Sequence, residues 1–374
     1  MLSDFQQLKN EVEEGILGKN QGIPIHLPKV GRYLSIRQSV YTLIGGFSGT
    51  GKTGLVDSLY VLEPYMWLLE NRGKTDLKIE WVYRSMERKK IHKLGKWACY
   101  YIWRKYGVLI EPAKLMGWRQ EKLNEQEKRY FDLCEEFFET MQDSKMITII
   151  DGQENPRGVY LHAKEYMLAR GTEEKVGFER KYTLNDPNLI VQLVIDTIGK
   201  CRLETVDGAK DRKSTTDKMS EYCSELRDIY HMSPIVISQF NTSIASQLYN
   251  KAPDPEPTPE SYKNTGNMFE DCDVSLALFN PYRYKVYDHM GHKIPEFVDT
   301  SGGIHHGANY FRSLKLLKSS FSEDDLRFGL SFMGQIGYWR DLPKASEIEE
   351  FERLVTVKGQ GFYDNIKNLM WFND

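Results

Sequence analysis

The residues Gly46-Phe47-Ser48-Gly49-Thr50-Gly51-Lys52-Thr53 fit the pattern G-x-x-x-x-G-K-[ST] at every fixed position. Such a loop lets successive backbone N–H groups wrap a phosphate chain, with a helix N-terminus adding its positive end. Residues Gly46, Ser48, Gly49, Thr50, Gly51, Lys52, Thr53 and Gly54 are therefore expected to contact a nucleoside triphosphate. Lys52 is expected to reach the β- and γ-phosphates, and Thr53 to place its hydroxyl on Mg²⁺. The flanks agree with that chemistry. Residues 39–44 are β-prone and residues 54–60 read as a helix opening, which gives strand, glycine loop, helix. The ordinary alternative is a glycine-rich turn ahead of any helix.

Phosphate binding alone is not hydrolysis, which also needs a metal-holding carboxylate and a group that orients water. Asp196 closes the most strand-like run, Leu189-Ile190-Val191-Gln192-Leu193-Val194-Ile195-Asp196. A carboxylate at the C-terminal end of a buried strand lies where ligands collect in α/β sheets. Asp196 is therefore expected to hold the metal with Thr53; a turn aspartate is the alternative. Glu87 in Arg84-Ser85-Met86-Glu87 follows a second strand to the same sheet edge, although a helix cap at Ser85 reads better from composition alone. Gln239 ends a third strand, Pro234-Ile235-Val236-Ile237-Ser238, where an amide could sense a phosphate or simply leave the core.

The elements that must carry these groups alternate along the chain. Strands are expected at about 40–45, 79–83, 146–150, 189–196, 234–238, 274–279, 311–318 and 326–333. Helices are expected at 1–20, 52–71, 88–106, 123–142, 156–170 and 214–231, with Asn124 as an N-cap candidate. The helix at 88–106 shows Ile91, Leu94, Cys99 and Ile102 as an apolar stripe, and its basic run Arg88, Lys89, Lys90, His92, Lys93 and Lys96 reads as a solvated face. Residues 251–260 hold four prolines and read as an extended loop; 283–310 reads as a hairpin or insertion; the tail after 343 opens as an acidic helix. Alternating strands and helices predict an α/β fold, a mostly parallel twisted sheet with helices on both faces. The expected division is an extension at 1–21, an ATPase domain at 22–343 and a tail at 344–374.

Bulk properties exclude several classes. The chain has 374 residues, 40% hydrophobic and 28% charged, with net charge -3. That is a globular composition without a global basic field for nucleic acid or membrane. Cys99, Cys134, Cys201, Cys223 and Cys272 form no C-x-x-C pair, which favours reduced thiols over a disulfide framework or zinc site. No signal peptide or membrane-spanning run is visible, so a cytoplasmic location and no membrane partner are expected.

Taken in order, these segments resemble the RecA-like ATPase domain of DnaB-type replicative helicases, within the RecA/RadA/KaiC superfamily. Gly22-Ile23-Pro24 and the glycine loop look like that family's opening through its first motif. Arg84-Ser85-Met86-Glu87 is similar to its Ser-x-Glu segment, whose glutamate activates water. Residues 193–196 look like the second nucleotide motif, and 235–241 are similar to the strand ending in Ser-Gln. The likeness runs over about 20–342. It implies an ATP- and Mg²⁺-dependent helicase or translocase working as a hexameric ring on single-stranded DNA. Glu87, Lys52, Gln239 and Lys318 would be its catalytic residues. A RecA/RadA/KaiC-like ATPase without helicase activity, or a nucleotide-binding scaffold, are the alternatives.

The departures bear on the motor. The family carries a lysine and, two residues on, an arginine finger. Here Lys318 is kept and Ser320 stands where the arginine is expected. Two channel loops are implied at about 204–214 and 243–262. The first offers Lys210, Arg212 and Lys213 to a nucleic-acid backbone, a small contribution per subunit that a ring would multiply. The second is proline-rich and weakly acidic.

Overall fold

The computed structural model describes residues 3–16, 19–204, 211–241, 256–262, 266–294 and 310–347. Before the phosphate loop lie α1 (Asp4–Ile16), a two-residue ladder of β1 (Ile23–Pro24) and β2 (Ser35–Ile36), and the turn α2 (Pro28–Gly31). The central strands are β3 (Thr42–Gly46), β4 (Lys78–Ser85), β5 (Ile147–Asp151), β8 (Leu189–Asp196), β9 (Ser233–Gln239) and β10 (Val274–Phe279). Between them, β6 (Gly171–Val176) and β7 (Glu179–Leu184) form a separate antiparallel hairpin, where the sequence reads only as a polar stretch. Later come the small hairpin β11 (Asp288–His289) and β12 (His292–Lys293), then β13 (Phe311–Ser319), β14 (Leu326–Met333) and β15 (Tyr338–Asp341).

Nine strands form one sheet in the order β15-β14-β13-β10-β3-β9-β8-β4-β5. The run from β10 to β5 is parallel throughout, and β13, β14 and β15 extend it antiparallel. All eight residues of β8 are buried, as expected of a strand covered on both faces. Alternate side chains enter different cores. Ile44, Tyr83 and Val194 enter one, whereas Leu43, Val82, Leu193 and Ile195 enter the other. The first core is covered by α3 (Lys52–Val56), a π-helical stretch at Asp57–Leu62, α4 (Glu63–Glu70), α5 (Lys90–Tyr106), α7 (Glu125–Asp132) and α8 (Glu135–Asp143), with the turn α6 (Pro112–Leu115) alongside. The second is covered by α9 (Pro156–Leu168), α10 (Arg212–Asp228) and α11 (Gly266–Asp271).

Several boundaries differ from the sequence reading for physical reasons. The helix after the loop is not uniform but passes through a π segment at Asp57–Leu62. The expected helix at 123–142 is two helices; Asn124 does cap the first, in a box with Glu127. Helix α10 starts two residues early because Asp211 caps it with Ser214. Strand β15 has no counterpart in the sequence reading. The acidic helix expected after 343 falls mostly outside the described residues, with a 3-10 turn at Ala345–Glu347. The five cysteines are all buried and free.

Candidate active site

The parallel strands end together at one edge, and the chemistry-bearing residues gather there. Strand β3 ends at Gly46, paired in register with Gln239 of β9 on one side and Leu278 of β10 on the other. One strand beyond β9, β8 ends at Asp196, in register with Ser85 of β4. Topology alone thus places the phosphate loop, Asp196, the Ser85–Glu87 turn and Gln239 at one sheet edge.

The loop between β3 and α3 has the shape its glycines require. Gly51 caps α3 at φ 105°, and a Cβ there would meet the Phe332 ring at 2.7 Å and the Trp339 ring at 2.8 Å. Ser48 and Gly49 lie exposed at the tip, while Thr50 is buried and donates its hydroxyl to the Phe47 carbonyl at 2.9 Å. Thr50 therefore shapes the loop from inside. Gly54 sits in the first turn of α3 against Gly337 of the β14–β15 turn. Two arginines that carry no motif in the sequence brace the loop from the antiparallel side. The Arg283 guanidinium donates to the Ser48 carbonyl, and buried Arg312 donates to the Thr50 carbonyl at 3.0 Å.

Lys52 folds back over this loop. Its ammonium donates to the Gly46 and Phe47 carbonyls, both at 2.8 Å. Burial pushes its pKa down to about 8, while Asp196 and Glu87 pull it upward. Both carboxylates singled out in the sequence therefore act electrostatically on the loop lysine. Thr53 donates its hydroxyl to Asp196 Oδ1 at 2.9 Å. A hydroxyl and a carboxylate oxygen this close form the hard-oxygen pair that Mg²⁺ takes beside phosphates, so the residues present fit a magnesium–nucleotide complex.

Glu87 is exposed on the turn between β4 and α5. The Ser85 hydroxyl does not cap α5; it donates to the Arg88 carbonyl at 2.7 Å and closes the turn that carries Glu87. The Met86 amide donates to the Asp196 carbonyl at 2.8 Å, which ties that turn to the end of β8. Gln239 is exposed at the end of β9, and the next amide, Phe240, donates to the Gly46 carbonyl at 3.1 Å.

Lys318 lies elsewhere. It pairs with Ser275, near the opposite end of β10 from the loop, and donates to the Phe269 and Glu270 carbonyls at 3.1 and 2.6 Å. The Ser320 amide donates to the Asp273 carbonyl at that same far edge. Arg212 opens α10 and donates to the Cys201 carbonyl; Lys213 beside it is exposed. Lys210 lies outside the described residues, as does most of the second channel segment.

One expectation is overturned. The basic run at the start of α5 is not a uniformly solvated face. Ile91 points outward at 58% exposure, while Lys93 is 2% exposed. Helix α5 is thus rotated relative to the expected stripe. The Lys93 ammonium donates to Asp196 Oδ2 at 3.1 Å, Asp57 Oδ1 at 3.2 Å and the Tyr83 hydroxyl at 2.6 Å. The Tyr83 hydroxyl in turn shares its one proton between Asp57 Oδ1 at 2.7 Å and Asp196 Oδ2 at 3.2 Å. Burial, then the two carboxylates, push the Tyr83 phenol well above its ordinary pKa, so it stays a neutral donor. The one signal for this knot in the sequence is the i, i+4 step from Lys93 to Trp97, two residues that share a buried helix face.

No protein-family model and no curated protein sequence matches the chain. Solved structures do match. The ATPase domain of a DnaB-like helicase superposes with a TM-score of 0.64 at 14% identity, over 91% of this chain and 100% of that one. A DnaB-like replicative helicase, solved for its interactions with primase, gives 0.64 at 13% identity, over 91% of this chain and 68% of that one. A KaiC-like protein of the hyperthermophilic archaeon Pyrococcus horikoshii OT3 gives 0.42 at 12% identity, over 87% and 98%, too loose to add to the reading. Such distant likeness shows architecture: the chain has the RecA-like fold of the DnaB-type ATPase domain.

Proposed function

We propose that this chain is a Mg²⁺-dependent ATPase of the DnaB-like kind, a helicase or translocase that works on single-stranded DNA. The observation that carries the ATPase part is the convergence of Lys52, Thr53, Asp196 and Glu87 at one edge of the sheet. Magnesium held by Thr53 and Asp196 neutralises phosphate charge. Lys52, already partly desolvated, exchanges its loop carbonyls for phosphate oxygens. Glu87, on an exposed turn, orients the attacking water and takes its proton. Gln239, in register with Gly46, carries the state of the phosphate site toward the segment that follows β9.

The motor part rests on more distant support. Helix α1 exposes Phe5, Leu8, Val12 and Ile16, at 65, 54, 52 and 80%, an apolar stripe at helical spacing that the described residues leave open to solvent. Such a face suits assembly into the ring that the DnaB-like reading requires. In that ring Lys210, Arg212 and Lys213 line the channel, and Lys318 acts on the neighbouring subunit's nucleotide. Among the described residues no helix is long and apolar enough to cross a membrane; a cytoplasmic site of action belongs to the same proposal.

A second reading is favoured by one observation. Ser320 supplies no guanidinium where the family has its finger. Fingers contribute about 10³–10⁵ in turnover in related NTPases, so a slow RecA/KaiC-like ATPase or a nucleotide-binding scaffold also fits. ATP hydrolysis measured with and without single-stranded DNA, for wild type and Lys52→Ala, with size followed by light scattering, separates them. DNA-stimulated turnover by a hexamer supports the helicase. Turnover indifferent to DNA leaves the non-helicase ATPase, and failure to bind ATP leaves the scaffold fold alone.

A further inference from the structure

The knot behind Asp196 goes beyond what phosphate binding requires. Lys93, Asp57 and Asp196 are almost wholly buried, with two carboxylates and one ammonium in mutual contact. Burying a charge costs several kcal/mol unless it is paired and hydrogen-bonded, so this arrangement persists only because its members satisfy one another. They come from four elements: Asp57 from the π segment after α3, Tyr83 from β4, Lys93 from α5 and Asp196 from β8.

The knot divides the oxygens of Asp196. Oδ2 accepts from Lys93 and Tyr83, while Oδ1 is left to Thr53 on the nucleotide side. Asp57 holds Lys93 in place from behind. Lys93 also lies six residues after Glu87, in the first turn of α5. The turn between them is fixed at its other end by the bond from the Met86 amide to the Asp196 carbonyl, and the Lys90 amide donates to Asp151 Oδ2 at 2.9 Å.

We infer that Lys93 is a positioning residue for the nucleotide site: it fixes Asp196 so that one defined oxygen, Oδ1, faces the magnesium position, and it sets the Glu87 turn in register with that oxygen. The inference rests on the ATPase reading above. It concerns orientation, in the way outer partners orient metal ligands elsewhere. A simple like-charge effect would act oppositely, because an ammonium near a metal site weakens cation binding.

The test uses the full chain and a fluorescent non-hydrolysable ATP analogue. Binding is measured without metal and then as Mg²⁺ is titrated, with thermal unfolding alongside. Lys93→Met is expected to leave metal-free binding within about twofold and to raise the half-saturating Mg²⁺ concentration about tenfold, the lower end for loss of a partner behind a metal ligand. Tyr83→Phe, which removes one donor to the same oxygen, is expected to raise it about two- to threefold. Where Lys93→Met fails to fold, Tyr83→Phe decides on the same reading. A lowered melting temperature with an unmoved Mg²⁺ half-point makes the knot structural only and overturns the inference, as does tighter Mg²⁺ binding in Lys93→Met. A wild-type protein that binds no nucleotide removes the ATPase reading, and the inference with it. A wild type that binds normally beside variants with unmoved Mg²⁺ half-points removes the inference alone.

Discussion

The two flanks of the central sheet treat buried carboxylates in opposite ways. At the carboxyl edge of the parallel strands, Asp196 is surrounded by side-chain donors: Thr53, Tyr83 and Lys93. On the antiparallel flank, Asp341 at the end of β15 is fully buried, accepts the Lys29 amide at 2.7 Å, and has its pKa pushed up by burial to about 7. The first carboxylate is equipped to meet a cation; the second is held close to neutrality. The same flank carries Lys318 and Ser320 at the sheet end away from the phosphate loop. Hydrolysis chemistry within one chain is therefore concentrated on the parallel side. Whatever the antiparallel side contributes to catalysis through Lys318 must reach another subunit.

The largest effects should come from breaking the parallel side. Lys52→Ala removes the only ammonium seated on the loop carbonyls among the described residues, and ATP turnover should fall on the order of 10³-fold. Near-normal turnover would mean the loop binds something other than a triphosphate. Glu87→Gln keeps shape and removes the base. Turnover should drop about 10²–10⁴-fold while nucleotide affinity, read by fluorescence, stays put. A variant that loses binding as well as turnover would make Glu87 a partner of Lys52 and not the group that activates water.

Ser320→Arg addresses the other flank. If that edge meets a neighbour's nucleotide, a guanidinium there should raise turnover about tenfold, well short of an evolved finger, and only above the concentration at which subunits assemble. Light scattering beside the rate measurement reads both. An equal rate in the assembled state would place this edge outside the neighbouring site and count against the ring.

What is legible in the sequence follows the same division. The strand 189–196 announces itself because a strand covered on both faces needs no polar alternation. The loop and Asp196 are legible because their chemistry depends on residues adjacent in sequence or ending a strand. Lys93 is not. A lysine in a basic run normally faces water, and only its partners, Asp57 thirty-six residues earlier and Asp196 far later, make its burial tolerable. Reading the stripe through Ile91 puts α5 about a quarter-turn off its observed setting. Arg283 and Arg312 escape for a related reason, since they reach the loop only across strand pairings of long sequence separation. The hairpin β6–β7 has one buried position in its second strand, Tyr182, too little apolar alternation to distinguish it from a loop.

The smallest predicted effect tests whether the two carboxylates differ as argued. Asp341 has a folded pKa near 7, raised from an ordinary 3.8 by burial and opposed by Lys29 and Arg32. A raised folded pKa means the folded state binds the proton more tightly than the unfolded chain. Its stabilisation is complete below about pH 4, declines as pH rises, and is gone once pH passes about 7. Across that window the change is on the order of 4 kcal/mol if this group acts alone. The amide of Asp341→Asn cannot titrate, so the difference between the two proteins isolates this carboxyl from the many that favour the opposite slope. In urea unfolding, the stability of wild type relative to Asp341→Asn should therefore fall by about 2–3 kcal/mol between pH 5 and pH 7. Parallel curves would mean that Asp341 is already ionised at pH 5, and the contrast between the two flanks would lie in position alone.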